Sequence, residues 1–387
     1  MPNSPLRVLH VIGAMDRGGA ETLVMNLYRN VNRDKIQFDF LVNETRECDY
    51  DSEIEALGGT IWRIPRFRLV NVASYSRACH DFFSTHRYQI VHGHIGLPAA
   101  IYLSHAKKAG SYAIAHSHAQ NYPLSPQEAV FRAISHPTRN VADYFMACSR
   151  QAGLDRYGSR IVEGENFHIL KNGLDVERGR FDPTSRQEVR NELGIAQDAP
   201  VFGHVGRLTS VKNHDFLLKV FKQITIGLPN ARLLLLGRGE LEDELRKTAN
   251  ELGLSGSVHF LGVRDDVPRF LSAMDVFVFT SFKEGLSNAV IEAQASGLPC
   301  IVSTGVPELA KIRDQTVFLD LSLGPQSWAN EAIRAYQSSS QSLRSGAYLD
   351  ARRAGFDIFD SAEWLEDFYL RTAREKTATR QQGNTTC

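Results

Sequence analysis

Residues 7–31, RVLHVIGAMDRGGAETLVMNLYRNV, carry the reading that decides the fold. Val8, Leu9, Val11 and Ile12 make an apolar, β-branched stretch interrupted only by His10. The chain then turns at Gly13 and at Gly18-Gly19, after which Leu23, Leu27 and Val31 recur at helical spacing. Strand, glycine turn and amphipathic helix make the first half of a βαβ unit. Outward from it the alternation repeats. FDFLVN, TIWRIP, YQIVHGH, SYAIAHSH and ADYFMACS read as strands, with helices expected over 72–86 and 97–109. This rhythm predicts a parallel sheet with helices on both faces. FHILKNGLDVERGRFDPTS breaks it, and Asn172-Gly173 marks a turn and a domain boundary. The rhythm restarts with VFGHVG, ARLLLLG, SVHFLG, DVFVFTS, PCIVS and TVFLDL, with helices expected over 216–224 and 241–252. These strands are nearly unbroken apolar runs, as a sheet buried on both faces requires. SAEWLEDFYLRTAREK is a last helix, and the polar tail after residue 378 is expected to fray. The expected architecture is α/β, with two doubly wound domains facing a cleft and ligands at the carboxyl ends of the strands. The first domain is placed at 1–175 with a helix at 361–378, and the second at 176–360.

A length of 387 residues suits two such domains. Lys+Arg and Asp+Glu both number 44, so the basic excess of a nucleic-acid binder is missing and none is expected as a partner. No run of about 18 apolar residues is present to span a bilayer. The N-terminal stretch has neither the basic region nor the long apolar core of a secretory signal. Cys48, Cys79, Cys148, Cys300 and Cys387 are scattered without a C-x-x-C pair. A disulfide framework is therefore not expected, and a cytoplasmic location is.

Four motifs carry chemistry. Gly18-Gly19 opens the first helix, where free backbone N–H groups and the helix dipole favour an anion. In HVGRLTSVKNH, Arg207 and Lys212 follow a strand end, and two fixed cations beside a helix start suit a diphosphate. In TSFKEGLSNAVIEAQASGLP, Glu284 lies in a loop, Gly285 permits a tight backbone and Ser287 is placed to cap a helix. Glu292 interrupts that helix's apolar face, and a carboxylate among small apolar residues needs a partner such as vicinal hydroxyls. Finally His92 and His94 end one strand and His116 and His118 another, each pair on one side of its strand. The four could hold a metal, which would make a metal-dependent hydrolase, or form a polar pocket with one acid or base. Asp49-Tyr50-Asp51 has a metal-transferase spacing but sits in a polar loop and is given little weight.

These motifs in this order resemble the retaining glycosyltransferases of family 4, with the two-Rossmann-domain GT-B architecture, and in particular bacterial exopolysaccharide and surface-glycan enzymes. HVIGAMDRGGAE, VHGH, AHSHAQ, LKNGLD, GRLTSVKN and LGRGE match in turn, and the family's E-x7-E pair stands as Glu284 and Glu292. The resemblance implies transfer of a sugar from a nucleotide-diphosphate sugar, a UDP-sugar by this likeness, to a hydroxyl. It implies Arg207 and Lys212 on the diphosphate, Glu292 on the ribose and Glu284 facing the sugar. Gly285, Leu286 and Ser287 would lie along the donor, Val263 and Arg264 by the nucleobase, and Gly18 and Gly19 on the phosphate side. His118 would be the acceptor-side catalytic group, with His94 and His116 beside it. Neither cofactor nor metal is implied. The acceptor would be a glycan or a lipid-linked saccharide, with RIPRFRL (Arg63, Arg66, Arg68) as a peripheral contact at the inner face of the membrane. An epimerase or a nucleotide-sugar binding protein without turnover is the remaining alternative.

Overall fold

A computed structural model describes residues 4–118 and 126–384. The chain forms two compact units, Met1–Gly173 with Ile358–Cys387, and Leu174–Asp357.

In the first unit the strands are β1 (Leu6–Ile12), β2 (Ile36–Val42), β3 (Ile61–Arg63), β4 (Ile90–Gly93), β5 (Tyr112–Ser117), β6 (Tyr144–Ala147) and β7 (Phe167–Ile169). They form one sheet in the order β3-β2-β1-β4-β5-β6-β7, paired in parallel throughout. Order reverses between β1 and β4, the place where open α/β sheets bind ligands. All of β2 is buried, including Asp39, whose carboxylate takes Arg7, the Tyr88 hydroxyl at 3.0 Å and the Thr60 N–H at 2.7 Å. Those bonds are what a buried carboxylate requires. β7 corrects the sequence reading, which assigned FHILKNGL to the linker. Three residues beside an Asn-Gly turn give too short a signal to read as a strand.

The second unit holds β8 (Val201–Val205), β9 (Arg232–Leu236), β10 (Val258–Phe260), β11 (Val276–Phe279), β12 (Cys300–Ser303) and β13 (Thr316–Leu319), in the order β10-β9-β8-β11-β12-β13. The reversal here falls between β8 and β11. Leu217, Leu218, Val220, Phe221 and Ile224, from the helix His214–Gly227, pack with Trp328 on one face of this sheet. Asp275, just before β11, holds the buried Arg186 at 2.6 Å and Arg190 at 2.8 Å. Both guanidiniums also donate to the Ala273 carbonyl.

The last helix, Ile358–Asn384, belongs to the first unit. Its Ile358, Ala362, Leu365, Phe368 and Tyr369 share a core with Val8, Leu23, Leu27 and Phe38. Trp364 stacks on His168 of β7 with ring centroids 3.5 Å apart. The helix continues to Asn384, so the fraying expected after residue 378 is not found.

Candidate active site

In the second unit, the loops leaving β8 and β11 meet at the reversal of strand order. Phe282 N–H donates to the Val211 carbonyl at 2.8 Å. The Thr280 hydroxyl lies 3.2 and 3.1 Å from the Lys212 and Asn213 carbonyls. Asn213 takes the left-handed conformation (φ 55°) between the short turn Ser210–Lys212 and the helix from His214. Lys212 therefore closes a turn rather than opening that helix, as the sequence reading had it. Its Nζ donates to Glu284 Oε1 at 2.6 Å and stands 4.9 Å from the Phe279 ring centroid. Both side chains are mostly buried, 20% and 14% exposed, so the pair sits in a low-dielectric place where it counts for more than at a surface. Glu284 is pinned through its own N–H to the Gly305 carbonyl at 2.9 Å. A Cβ on Gly305 would lie 2.3 Å from the Phe282 carbonyl oxygen, so only glycine lets the two backbones approach this closely.

Arg207 is exposed just past β8, and its guanidinium has no hydrogen-bond partner among the described residues. Gly285 is exposed, Leu286 partly buried and Ser287 buried. Ser287 occupies the N-cap of the helix Asn288–Ala295, but its hydroxyl makes no capping bond, contrary to expectation. The first N–H groups of that helix are thus left without a side-chain cap beside Glu284. Within the helix, Glu292 lies between Ile291 and Ala293, both fully buried. Its carboxylate has no hydrogen-bond partner among the described residues, and burial pushes its pKa up to about 7 against a small opposing pull from Arg178. Val263 and Arg264 lie past β10, two strands from the Lys212–Glu284 pair. They are joined to it by main chain, since Leu208 N–H donates to the Arg238 carbonyl at 3.0 Å and Gly237 N–H to the Gly262 carbonyl at 2.8 Å. Arg264 is held by Asp266 at 2.8 Å.

In the first unit, histidines gather at the β1/β4 reversal. His94 Nδ1 is 2.8 Å from His118 Nε2, and His94 Nε2 is 2.9 Å from His10 Nδ1. His92 Nε2 is 3.2 Å from His116 Nδ1, and His92 Nδ1 is 2.5 Å from the Tyr369 hydroxyl. Burial lowers all five imidazoles, His118 to about 4 and His10 to about 3, so they are neutral near pH 7. Two trios, His10/His92/His94 and His94/His116/His118, bring ring nitrogens within 4.8 Å of one another. Rings bonded at 2.8 Å stand closer than two ligands of one tetrahedral zinc, about 3.3 Å apart for bonds of about 2.05 Å. A metal would have to pry them apart. The sequence reading missed His10 and Tyr369. His10 sits alone in a strand, and its signal was its register, directly opposite His92 across β1 and β4.

Gly18 caps the helix Gly19–Asn30 in an extended conformation, and neither it nor Gly19 needs positive φ. A Cβ on Gly18 would lie 2.2 Å from Glu21 Oε2, so the chain's own acid stands at the expected anion seat, while Gly19 faces open space. Asp51 of the D-x-D stretch is spent on Arg63 and on the Cys48 N–H. Arg63 is thereby also removed from the candidate membrane contact, leaving Arg66 and Arg68 exposed beside Leu69 and Val70. No helix among the described residues is long and apolar enough to cross a membrane.

Two parallel doubly wound sheets, each with its polar residues at the reversal of strand order, define the GT-B class of glycosyltransferase folds. Residues 17–178 match the model of Glycosyltransferase Family 4, and residues 185–341 that of Glycosyl transferases group 1. EpsF of Bacillus subtilis (strain 168), assigned as a glycosyltransferase, is 36% identical over 316 residues, covering 80% of this chain and 82% of EpsF. The UDP-Gal:alpha-D-GlcNAc-diphosphoundecaprenol alpha-1,3-galactosyltransferase of Escherichia coli is 30% identical over 216 residues, covering 54% of this chain and 55% of that enzyme. Anabaena Alr3699/HepE, solved in complex with UDP, superposes with a TM-score of 0.74 at 19% identity over 95% of this chain and 100% of that one. The chain belongs to the group 1/family 4 glycosyltransferases and is related to bacterial surface-glycan enzymes. The hydrolase alternative built on the four histidines is not favoured by this membership.

Proposed function

We propose that the protein transfers a sugar from a UDP-sugar to a hydroxyl of a glycan or lipid-linked saccharide, with retention at the anomeric carbon, in exopolysaccharide or surface-glycan synthesis. The observation that carries the reading is the Lys212–Glu284 pair where the loops leaving β8 and β11 meet, with Arg207 on the first of those loops and, past the second, a helix with an uncapped N-terminus and the unpartnered Glu292. Arg207 and Lys212 offset the charge that grows on the departing diphosphate, and the N–H groups from residue 288 onward face the same anion. Glu284 holds Lys212 in place and offers its second oxygen to the sugar. The sugar–diphosphate C–O bond breaks as the acceptor oxygen, entering on the face the diphosphate leaves, bonds to the anomeric carbon, and the acceptor's proton passes to the departing diphosphate oxygen. His118, neutral at working pH with its Nε2 held by His94, gives a hydrogen bond to a reacting hydroxyl. UDP is the ligand of HepE, and UDP-Gal is named in the Escherichia coli relative; both support the choice of donor. The loop with Arg66, Arg68, Leu69 and Val70 exposed combines cations and apolar groups suited to an anionic interface, where a lipid-linked acceptor would be met.

The test is nucleotide release. UDP should be freed from a UDP-sugar only when an acceptor is added, and chelators should leave that rate unchanged. His118→Ala should lose release while UDP still raises the melting temperature. Release without acceptor, or an unaltered rate in His118→Ala with acceptor saturating, overturns the reading or removes His118 from it.

Glu292→Gln checks the ribose assignment. A charged carboxylate accepts hydroxyl hydrogen bonds worth about 1.5–3 kcal/mol, so the variant should bind UDP roughly tenfold or more weakly. Because burial raises the pKa of Glu292 to about 7, UDP affinity of the parent should climb as pH rises toward that value, and the variant should lose the climb. Without ligand the sign reverses. The native state keeps a proton that the unfolded chain gives up between its ordinary value near 4.5 and about 7, so this group costs stability as pH rises through that window. Glu292→Gln should therefore melt higher than the parent at pH 8. Calorimetric titration at pH 6 and pH 8 checks both signs, and equal UDP affinities in an intact fold refute the assignment.

A further inference from the structure

We propose that a cavity of about 110 Å³ in the first unit, beyond the ends of β4 and β5, binds a compact oxyanion, the carboxylate or phosphate of an acidic acceptor. The inference rests on the transferase reading for its word acceptor, but not for its anion. His94, His116, His118, Thr138, Phe131 and Arg156 line the cavity, and no carboxylate does among the described residues.

Arg156 comes from the helix Arg150–Tyr157, and its guanidinium lies 4.1 Å from the centroid of the Phe131 ring. Its one side-chain hydrogen bond among the described residues is long, 3.4 Å to the Ser135 hydroxyl, and it has no ion pair there. Burial lowers its pKa, and the Glu128 carboxylate, already paired with Arg132, opposes that only in part. Around the same cavity three buried polar atoms lack partners among the described residues: His116 Nε2, His118 Nδ1 and Thr138 Oγ1. Thr138 is only 4% exposed, so bulk water does not serve its hydroxyl. A single cation and three unserved polar atoms facing one small space need a ligand with negative charge and several acceptor sites.

The imidazole chains show that those atoms can all donate. Tyr369 stays protonated, because burial holds its pKa well above 10, and its one partner among the described residues is His92 Nδ1. An orphaned buried hydroxyl proton is costly, so Tyr369 donates to His92 Nδ1. His92 then carries its proton on Nε2 and donates to His116 Nδ1, which puts the proton of His116 on Nε2, facing the cavity. The second chain ends at His10 Nε2, unpartnered beside Phe38 with ring centroids 4.1 Å apart. Leaving a bare lone pair there is easier than leaving an N–H. His10 Nδ1 then donates to His94 Nε2, His94 Nδ1 to His118 Nε2, and His118 presents Nδ1–H. Guanidinium, two imidazole N–H groups and a hydroxyl thus converge without any ring being charged, which is the donor set of an oxyanion site. The volume is below the roughly 150 Å³ that an engineered cavity gives to benzene. A carboxylate or phosphate enters, and the sugar ring that bears it stays outside.

The experiment is a melting-temperature titration of the whole protein with inorganic phosphate, with D-glucuronate and with neutral D-glucose, chloride keeping ionic strength constant. Phosphate or glucuronate should raise the melting temperature saturably and glucose should not; which of the two acts tells a phosphate-bearing from a carboxylate-bearing acceptor. Arg156→Gln should weaken the anion at least tenfold while the shift produced by UDP is kept. If Arg156→Gln fails to melt cooperatively, Thr138→Val, which keeps the charge and the shape, should still reduce the anion shift. The proposal is overturned if neither anion shifts the parent, or if a folded Arg156→Gln responds as the parent does. Loss of the UDP shift in the parent would strike the donor reading and leave this one standing.

Discussion

Lys212→Ala should lower kcat by about a hundredfold to a thousandfold, the scale set by deleting one preorganised charge-stabilising donor from an enclosed site. Three observations put Lys212 at the upper end. Its ammonium is mostly buried, it is held by Glu284 at 2.6 Å, and its carbonyl and that of Asn213 are fixed by the Thr280 hydroxyl, so little is left to reorganise when charge develops. Lys212→Met is the control for packing on Phe279, because it keeps the stem and removes the charge. Both variants should lose kcat alike. Glu284→Gln should leave the ammonium in place and cost less. Steady-state kinetics with saturating acceptor decides the matter: rates within a fewfold of the parent in Lys212→Met would show that the diphosphate is stabilised elsewhere.

Acidification should unfold the first unit in mild conditions. His10, His92, His94, His116 and His118 are neutral in the fold because burial depresses each pKa, His118 to about 4 and His10 to about 3. In the unfolded chain each takes up a proton near its ordinary value of about 6.5. The unfolded state then binds more protons, so stability falls as pH drops below that value. Each such histidine contributes about 1.4 kcal/mol per pH unit, and five acting together contribute about 7. Against a total stability of about 5–15 kcal/mol, the unit should unfold between about pH 6 and pH 4.5. Carboxylates paired in the fold, such as Asp39 with Arg7, lose their contribution only at lower pH. Urea titrations across that range check it, with the slope of free energy against pH counting the protons. His10→Phe should flatten the slope by about one proton, and a stability unchanged from pH 7 to pH 5 would refute the account.

The sequence carried the alternation of strands and helices well, because most strands are short runs rich in apolar residues bounded by glycine or by a polar turn. β7 was lost for the opposite reason, being three partly buried residues next to Asn172-Gly173. Glu284, Glu292, Arg207 and Lys212 were legible as an order of motifs, whereas the ion pair joining Lys212 to Glu284 was not. The two lie 72 positions apart, and only the adjacency of β8 and β11 brings them together. The periodicity that paired His92 with His94 works along a strand and is blind across strands. His10 needed the β1–β4 register, and Tyr369 needed the docking of a helix 277 positions away. Arg156 was invisible because a lone arginine on a short helix reads as solvated until its place on the cavity wall, without an ion pair among the described residues, is seen.

The return of the chain to its first unit sets a timetable for synthesis. The second unit is contiguous, Leu174–Asp357, and can close as soon as it has left the ribosome. The first unit has Val8, Leu23, Leu27 and Phe38 in place early, yet the residues that cover them, Ala362, Leu365, Phe368 and Tyr369, are made last. At about 5–20 residues per second the 184 residues between take on the order of ten seconds or more. For that interval an apolar face waits uncovered on the nascent chain, and the hydroxyl that orients His92 has not yet been made.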